Sequence, residues 1–285
     1  MSDVVVVTGA SAGIGQACAD RLHGAGWTVF GTSRRGTSSG GWTGLVMDVD
    51  DDGSVAEGFR RVRGEDDRID AVVACAGWGL AGAAEQTSVS EAKEQMETNF
   101  WGSVRVVQQA LPVMRSQGRG RIILMSSIGG IIGLPFQSFY SASKFALEGY
   151  AEALAYEVAP FGLQVTLVEP GNVRTDFTRN RRDVVPLTGE SGEPGESGES
   201  GESGGAGPAD PYREAAAKAV GTMERDEANG VPPDDVAAVV ERILRAARPP
   251  RRVSVGKVDE RIGIIGKRLL PYRLFEKAAR GSLGI

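Results

Sequence analysis

Four β-branched residues, Val4–Val7, run without interruption into Thr8-Gly9-Ala10-Ser11-Ala12-Gly13-Ile14-Gly15. A continuous apolar run has no polar face, so it reads as a strand buried on both sides, as in a parallel sheet. Glycines directly after the strand permit a tight turn and a close approach of backbone to a bound group. Residues 13–25 then read as a helix, whose first turn would present free N–H groups and a positive dipole end to an anion. Strand, glycine turn and helix together point to a nucleotide phosphate cradle; the alternative is a purely structural turn. The spacing is Gly-x-x-x-Gly-x-Gly, not the dinucleotide fingerprint Gly-x-Gly-x-x-Gly.

The same alternation continues along the chain. Further strands are expected at 27–31, 45–47, 71–74, 121–125, 164–168 and 252–255. Helices are expected at 52–63, 89–116, 139–159, 212–229 and 234–247, with Pro112 kinking or ending the helix at 89–116. Strands separated by helices of this length form βαβ units with right-handed crossovers. The expectation is an α/β fold: one doubly wound parallel sheet of about seven strands with helices on both faces, spanning residues 1–285 as a single domain. Residues 257–285 would add a C-terminal helical extension, whose apolar side chains from Ile262 to Phe275 need a partner surface.

Composition narrows the function classes. Residues 189–203 are five triplets, GES, GEP, GES, GES and GES, and their five glutamates equal the formal net charge of −5. The rest of the chain is neutral, which argues against a nucleic-acid footprint. The segment 187–210 reads as a disordered acidic Gly/Glu/Ser loop, since it has almost nothing apolar to bury. Cys18 and Cys75 are the only cysteines, too few for a disulfide framework; a reducing compartment is expected. No apolar run is long enough to span a membrane, and the start MSDVVVVTGA lacks a basic n-region. A cytoplasmic protein is the resulting expectation. No His/Cys/Asp/Glu grouping has metal-ligand spacing, and His23 on the first helix is given no catalytic part.

Tyr140 and Lys144 stand four apart on an expected helix and share a face. A phenol is a weak acid and base at neutral pH, and a nearby ammonium favours its ionised form. Ser127 lies 13 residues earlier, after an expected strand, with Ser126 as its neighbour and rival. After the second strand comes Gly31-Thr32-Ser33-Arg34-Arg35, with no Asp or Glu between Trp27 and Gly44. An acidic residue there would bind the ribose 2′-hydroxyl of NAD, whereas arginine accommodates a 2′-phosphate. Asn99, inside an expected helix, is mildly unfavourable there and suggests a local kink.

These motifs occur in one order: TGASAGIG, Asp48-Val49-Asp50, Cys75-Ala76-Gly77, Asn99, Ser126-Ser127, YSASK at 140–144 and EPGNVRTDF at 169–177. In that order they resemble the short-chain dehydrogenase/reductase family over roughly residues 3–180, nearest its steroid- and retinol-acting branch. The resemblance implies a Rossmann-type fold, NADP(H) as cofactor, and catalysis by Asn99, Ser127, Tyr140 and Lys144. It places the cofactor against Gly9, Ser11, Gly13, Ile14, Gly15, Arg34, Asp48, Val49, Ala76, Gly77, Tyr140, Lys144, Pro170, Gly171, Val173 and Thr175. Asn99 would anchor a water that relays protons toward Lys144. The family often has Asn-Asn-Ala-Gly where this chain has Ala74-Cys75-Ala76-Gly77. Trp78, Leu80, Phe136, Phe139 and Phe177 would give the substrate pocket an apolar lining, suited to a hydrophobic ketone, aldehyde or alcohol. A homodimer or homotetramer is implied. A non-catalytic NADP-binding sensor is the alternative reading. An extended-branch epimerase, which shares Y-x-x-x-K, would carry Gly-x-x-Gly-x-x-Gly instead.

Overall fold

A computed structural model describes residues 2–38, 40–184 and 210–283. The acidic repeat at 189–203 lies outside the described residues. The chain runs β1 (Val4–Thr8), α1 (Gly13–Gly24), β2 (Thr28–Ser33), β3 (Thr43–Val46), α2 (Asp52–Glu65), β4 (Ala71–Ala74), β5 (Leu80–Ala81) and α3 (Val89–Met96). It continues through α4 (Ser103–Gln117), β6 (Gly120–Met125), α5 (Ser138–Val158), β7 (Leu163–Pro170) and β8 (Arg182–Asp183). The remaining elements are α6 (Arg213–Ala228), α7 (Pro233–Arg245), β9 (Arg252–Val255), α8 (Val258–Leu269) and α9 (Tyr272–Leu283).

Seven strands form one sheet in the order β3-β2-β1-β4-β6-β7-β9, and every neighbouring pair is parallel. β1 lies inside the sheet and all five of its residues are buried. Its alternate side chains serve opposite faces. Val4 and Val6 pack with Phe59 of α2, Val107 of α4 and Leu147 of α5. Val5 and Val7 pack with Cys18 and Leu22 of α1 and Val240 of α7. Burial of a valine contributes on the order of 1.5–3 kcal/mol, so this strand anchors both layers.

Because β1 leads to β2 on one side and β4 on the other, the strand order reverses at its C-terminal end. A crevice opens there between the diverging loops, and open α/β sheets bind ligands at such a reversal. The glycine turn sits at this point.

Three features depart from expectation. The break in the long third helix falls at Glu97–Gly102, which forms a π-helical segment, and not at Pro112, which α4 carries inside it. A two-stranded ribbon, β5 with β8, joins the loop after β4 to residues 182–183. On α8 and the residue just after it, Val258, Ile262, Ile265, Leu269 and Leu270 are exposed, as are Tyr272 and Leu274 in α9, and among these described apolar residues only Ile264 is buried. The anticipated partner surface for the rest is absent among the described residues.

Candidate active site

The crevice at the C-terminal ends of β1, β4, β6 and β7 is a cavity of ≈ 930 Å³. Its floor is the glycine turn. Gly9 has φ +67, and a Cβ built on it would lie 3.0 Å from the Ala76 backbone. A Cβ on Gly15 would lie 2.3 Å from the Gly9 carbonyl oxygen. The turn therefore tolerates no side chain at either position, and its backbone stays open toward the cavity. Thr8 ties the turn to the next loop: its Oγ1 accepts from the amides of both Cys75 and Ala76, at 3.1 Å each.

Ser11, Gly13, Ile14, Arg34, Asp48, Val49, Gly77, Pro170, Gly171, Val173 and Thr175 all line this cavity, together with Gly9, Gly15 and Ala76. Arg34 and Arg35 are exposed at the end of β2, beside Ser11. Neither forms an ion pair among the described residues, so both guanidinium groups are free to meet an anion. Asp48 sits across the crevice, where its Oδ1 accepts from the Asp50 amide at 3.2 Å. These surfaces, including the side-chain-free approach at Gly9, fit an adenine dinucleotide.

At the deeper end lie Ser127, Tyr140 and Lys144, all buried and all lining the cavity. Lys144 Nζ donates to the Met125 carbonyl at 2.9 Å and lies 5.8 Å from the Tyr140 ring centroid. Burial pushes the ammonium down to about 8, with Cys75 and Glu148 opposing the shift. The Tyr140 phenol is pushed up to about 12 by burial; a hydrogen bond from Ser127 opposes the shift and the Glu227 carboxylate adds to it. The lowering expected from Lys144 is not among the causes of the shift, which desolvation dominates. A phenol raised this far keeps its proton at neutral pH. Both serines line the cavity; Ser127 is the one hydrogen-bonded to Tyr140, and its Oγ also accepts from the Gly129 amide at 3.0 Å.

Asn99 does not face the cavity. It is fully buried in the π-helical segment, where its Nδ2 donates to the Trp78 carbonyl at 3.0 Å and to Ser143 Oγ at 3.1 Å. Its Oδ1 accepts from the Trp78 amide at 3.0 Å. The carboxamide clamps the loop after β4 beneath Lys144, and the π-bulge turns it toward that loop.

The substrate end of the cavity differs from the expected apolar lining. Trp78, Leu134, Phe177 and Met223 supply apolar surface, and the Phe177 ring stands edge-on to Tyr140 at 5.7 Å. Leu80 is instead buried in β5, and Phe136 lines a separate cavity of ≈ 570 Å³. Phe139 lines neither. Gln137, Asn180, Asp226 and Glu227 bring polar groups that sequence reasoning missed. Two of these come from α6, more than 80 residues beyond Tyr140 in the chain, and no local motif marks them. Glu227 accepts from Thr178 and lies 3.6 Å from the buried Arg181, while burial raises its carboxyl above the usual range. Phe136 itself has φ +60, a strained conformation for a bulky residue, and its carbonyl accepts from the Gly82 amide at 2.8 Å.

A parallel sheet with a glycine turn at its reversal point and a buried serine, tyrosine and lysine define a dinucleotide-binding α/β enzyme. Sequence comparison agrees: residues 3–185 match the profile described as short chain dehydrogenase. The chain belongs to the short-chain dehydrogenase family and is an oxidoreductase. It is 37% identical over 278 residues to "3-ketodihydrosphingosine reductase" of Bacteroides thetaiotaomicron, covering 97% of this chain and 96% of that protein. It is 38% identical over 191 residues to human "17-beta-hydroxysteroid dehydrogenase type 1", covering 61% of this chain and 58% of that protein. Among solved structures, a short-chain dehydrogenase from Streptomyces avermitilis superposes with a TM-score of 0.77 at 32% identity, covering 99% and 98% of the two chains. "ElxO with NADP Bound" superposes with a TM-score of 0.59 at 28% identity, covering 62% and 76%.

Proposed function

We propose that this protein reduces a ketone on a hydrophobic skeleton to the secondary alcohol, with NADPH as the reductant. The observation that carries the reading is the buried Tyr140 beside Ser127 and Lys144, in the same cavity as the glycine turn. NADPH, when bound, supplies the hydride that adds to the carbonyl carbon. Ser127 donates a hydrogen bond to the carbonyl oxygen and holds it near the phenol. Tyr140 gives that oxygen its proton as negative charge develops, so the product leaves as a neutral alcohol. The Lys144 charge then stabilises the phenolate left behind and favours reprotonation. Asn99 would act one layer back, fixing Trp78 and the loop after β4 that would hold the ribose; a water held near it would carry the replacement proton.

Arg34 is the basis for choosing NADPH over NADH, since a free guanidinium pairs with a 2′-phosphate and β2 is followed by no carboxylate. The NADP-bound relative supports the choice. The Bacteroides relative, by its name, supports a long-chain ketone. Trp78, Phe177 and Met223 would carry the chain. Asp226 and Glu227 would accept hydrogen bonds from a hydroxyl or ammonium group beside the carbonyl. The test is NADPH oxidation followed by absorbance over a panel of long-chain and polycyclic ketones. Turnover of at least one, with the alcohol as product, is the expected result. Tight NADPH binding without turnover of any member would favour a cofactor-binding sensor instead.

A further inference from the structure

On α8, Val258, Ile262, Ile265 and Leu269 are spaced i, i+4, i+7 and i+11, which places them in one stripe along the helix. All four are exposed, by 72%, 61%, 55% and 77%. Leu270, Tyr272 and Leu274 extend this apolar surface into the turn and α9. A patch of this extent is unusual on a soluble surface and marks an interaction site.

The stripe is held outward by the opposite side of the same helix. Ile264 is buried there. The Glu260 carboxylate accepts from the Asn172 amide at 2.8 Å, directly after the Pro170-Gly171 turn, and from the Lys257 amide at 2.7 Å. The helix therefore docks by one face and leaves the other to a partner.

Charge selects that partner. Residues 257–283 hold seven Lys/Arg and three Asp/Glu, in a chain whose net charge is −5. Glu260 is committed to the interior contacts. Arg261 and Arg268 on α8, and Arg273, Lys277 and Arg280 on α9, are exposed. A two-fold contact with a second copy would set arginine against arginine, a costly arrangement. A surface of anionic lipid headgroups pairs with the cations and lets the apolar stripe enter the acyl boundary. No described helix is long and apolar enough to cross a membrane, so the geometry lies on a bilayer and does not span it.

We propose that α8 and α9 form an amphipathic docking surface for an anionic lipid bilayer. The surface does not depend on the chemistry assigned to the active site, but it would bring the cavity close to a source of hydrophobic substrate. The experiment is co-sedimentation of the full-length protein with vesicles of phosphatidylcholine alone and of phosphatidylcholine containing phosphatidylglycerol, at low and high salt. Binding to the anionic vesicles only, weakened by salt, is expected. Each of Arg261→Gln, Arg268→Gln and Arg273→Gln should lower the partition coefficient about fivefold. The double variant Ile262→Asp, Ile265→Asp should abolish binding, with its thermal unfolding midpoint unchanged because both positions are exposed. Absence of binding to either vesicle would overturn the proposal, as would full binding by the double variant. A dimer that dissociates in the double variant, seen by sedimentation velocity without vesicle binding, would assign the surface to a second copy instead.

Discussion

Arg34 and Lys144 carry charges whose consequences can be measured one residue at a time. Arg34 is exposed and unpaired among the described residues, so its contact with a 2′-phosphate would be charge-assisted and screened by salt. Such a bond contributes roughly 1.5–3 kcal/mol, which corresponds to a preference for NADPH of about tenfold to a hundredfold. Arg34→Asp should reverse that preference in kcat/KM, and the parent's preference should shrink as salt rises. Continued preference for NADPH in Arg34→Asp would transfer the reading to Arg35 or Ser11. For Lys144 the sign follows from burial. The ammonium, lowered to about 8, is charged at pH 7 and loses its proton as pH rises through that value. Since the charge stabilises the Tyr140 phenolate left after proton donation, the reductive rate should fall as pH rises through about 8. A rate that climbs through the same interval would contradict this part for Lys144. That Ser127, Tyr140 and Lys144 would share one cavity could be anticipated because each belongs to a short motif with its own chemistry. The Tyr140 shift could not, because proximity to an ammonium can be read from i,i+4 spacing, whereas desolvation depends on α6 and the loop at 177 closing over the ring. Glu227 escaped notice for the same reason.

At the level of elements, the glycine turn is the part that a single methyl group can break. Gly15→Ala would put a Cβ 2.3 Å from the Gly9 carbonyl oxygen, so backbone must move. The expected cost is about 1–3 kcal/mol of stability together with weaker NADPH binding. Chemical denaturation and a fluorescence titration would check the two effects; an unaltered affinity would remove the turn from the cofactor site. The strands of the main sheet were readable because β1 and β4 are continuous apolar runs between turn signals and β6 carries one at Ile122–Met125. The ribbon of β5 and β8 was not, since two-residue strands have no period. The π-helical segment was half legible: Asn99 signalled a kink, but its position within the helix is decided by the contact of its amide with Trp78. Pro112 misled as a break because α4 accommodates it.

The whole molecule links the cofactor crevice to its C-terminal helices through Glu260. Its carboxylate joins α8 to the backbone at Asn172, 88 residues earlier and beside the turn that should face the nicotinamide. Charge-assisted hydrogen bonds contribute about 1.5–3 kcal/mol each. Glu260→Ala should therefore weaken NADPH binding severalfold without altering kcat at saturating cofactor. Unchanged affinity in a titration would show that α8 and the crevice are independent. The sequence announced that the tail is apolar and helical; it could not show which of those side chains stay outside, because that depends on where α8 meets β7 and the loop after it. The central claim is that Tyr140 donates the proton in an NADPH-dependent ketone reduction. It is tested most directly by comparing single-turnover NADPH oxidation in the parent and in Tyr140→Phe, on a ketone that the parent reduces. The account predicts a loss of roughly 10²–10⁴-fold in rate, with the dissociation constant for NADPH unchanged, since the ring and its contacts with Phe177 remain. Turnover by Tyr140→Phe near the parent rate would contradict it.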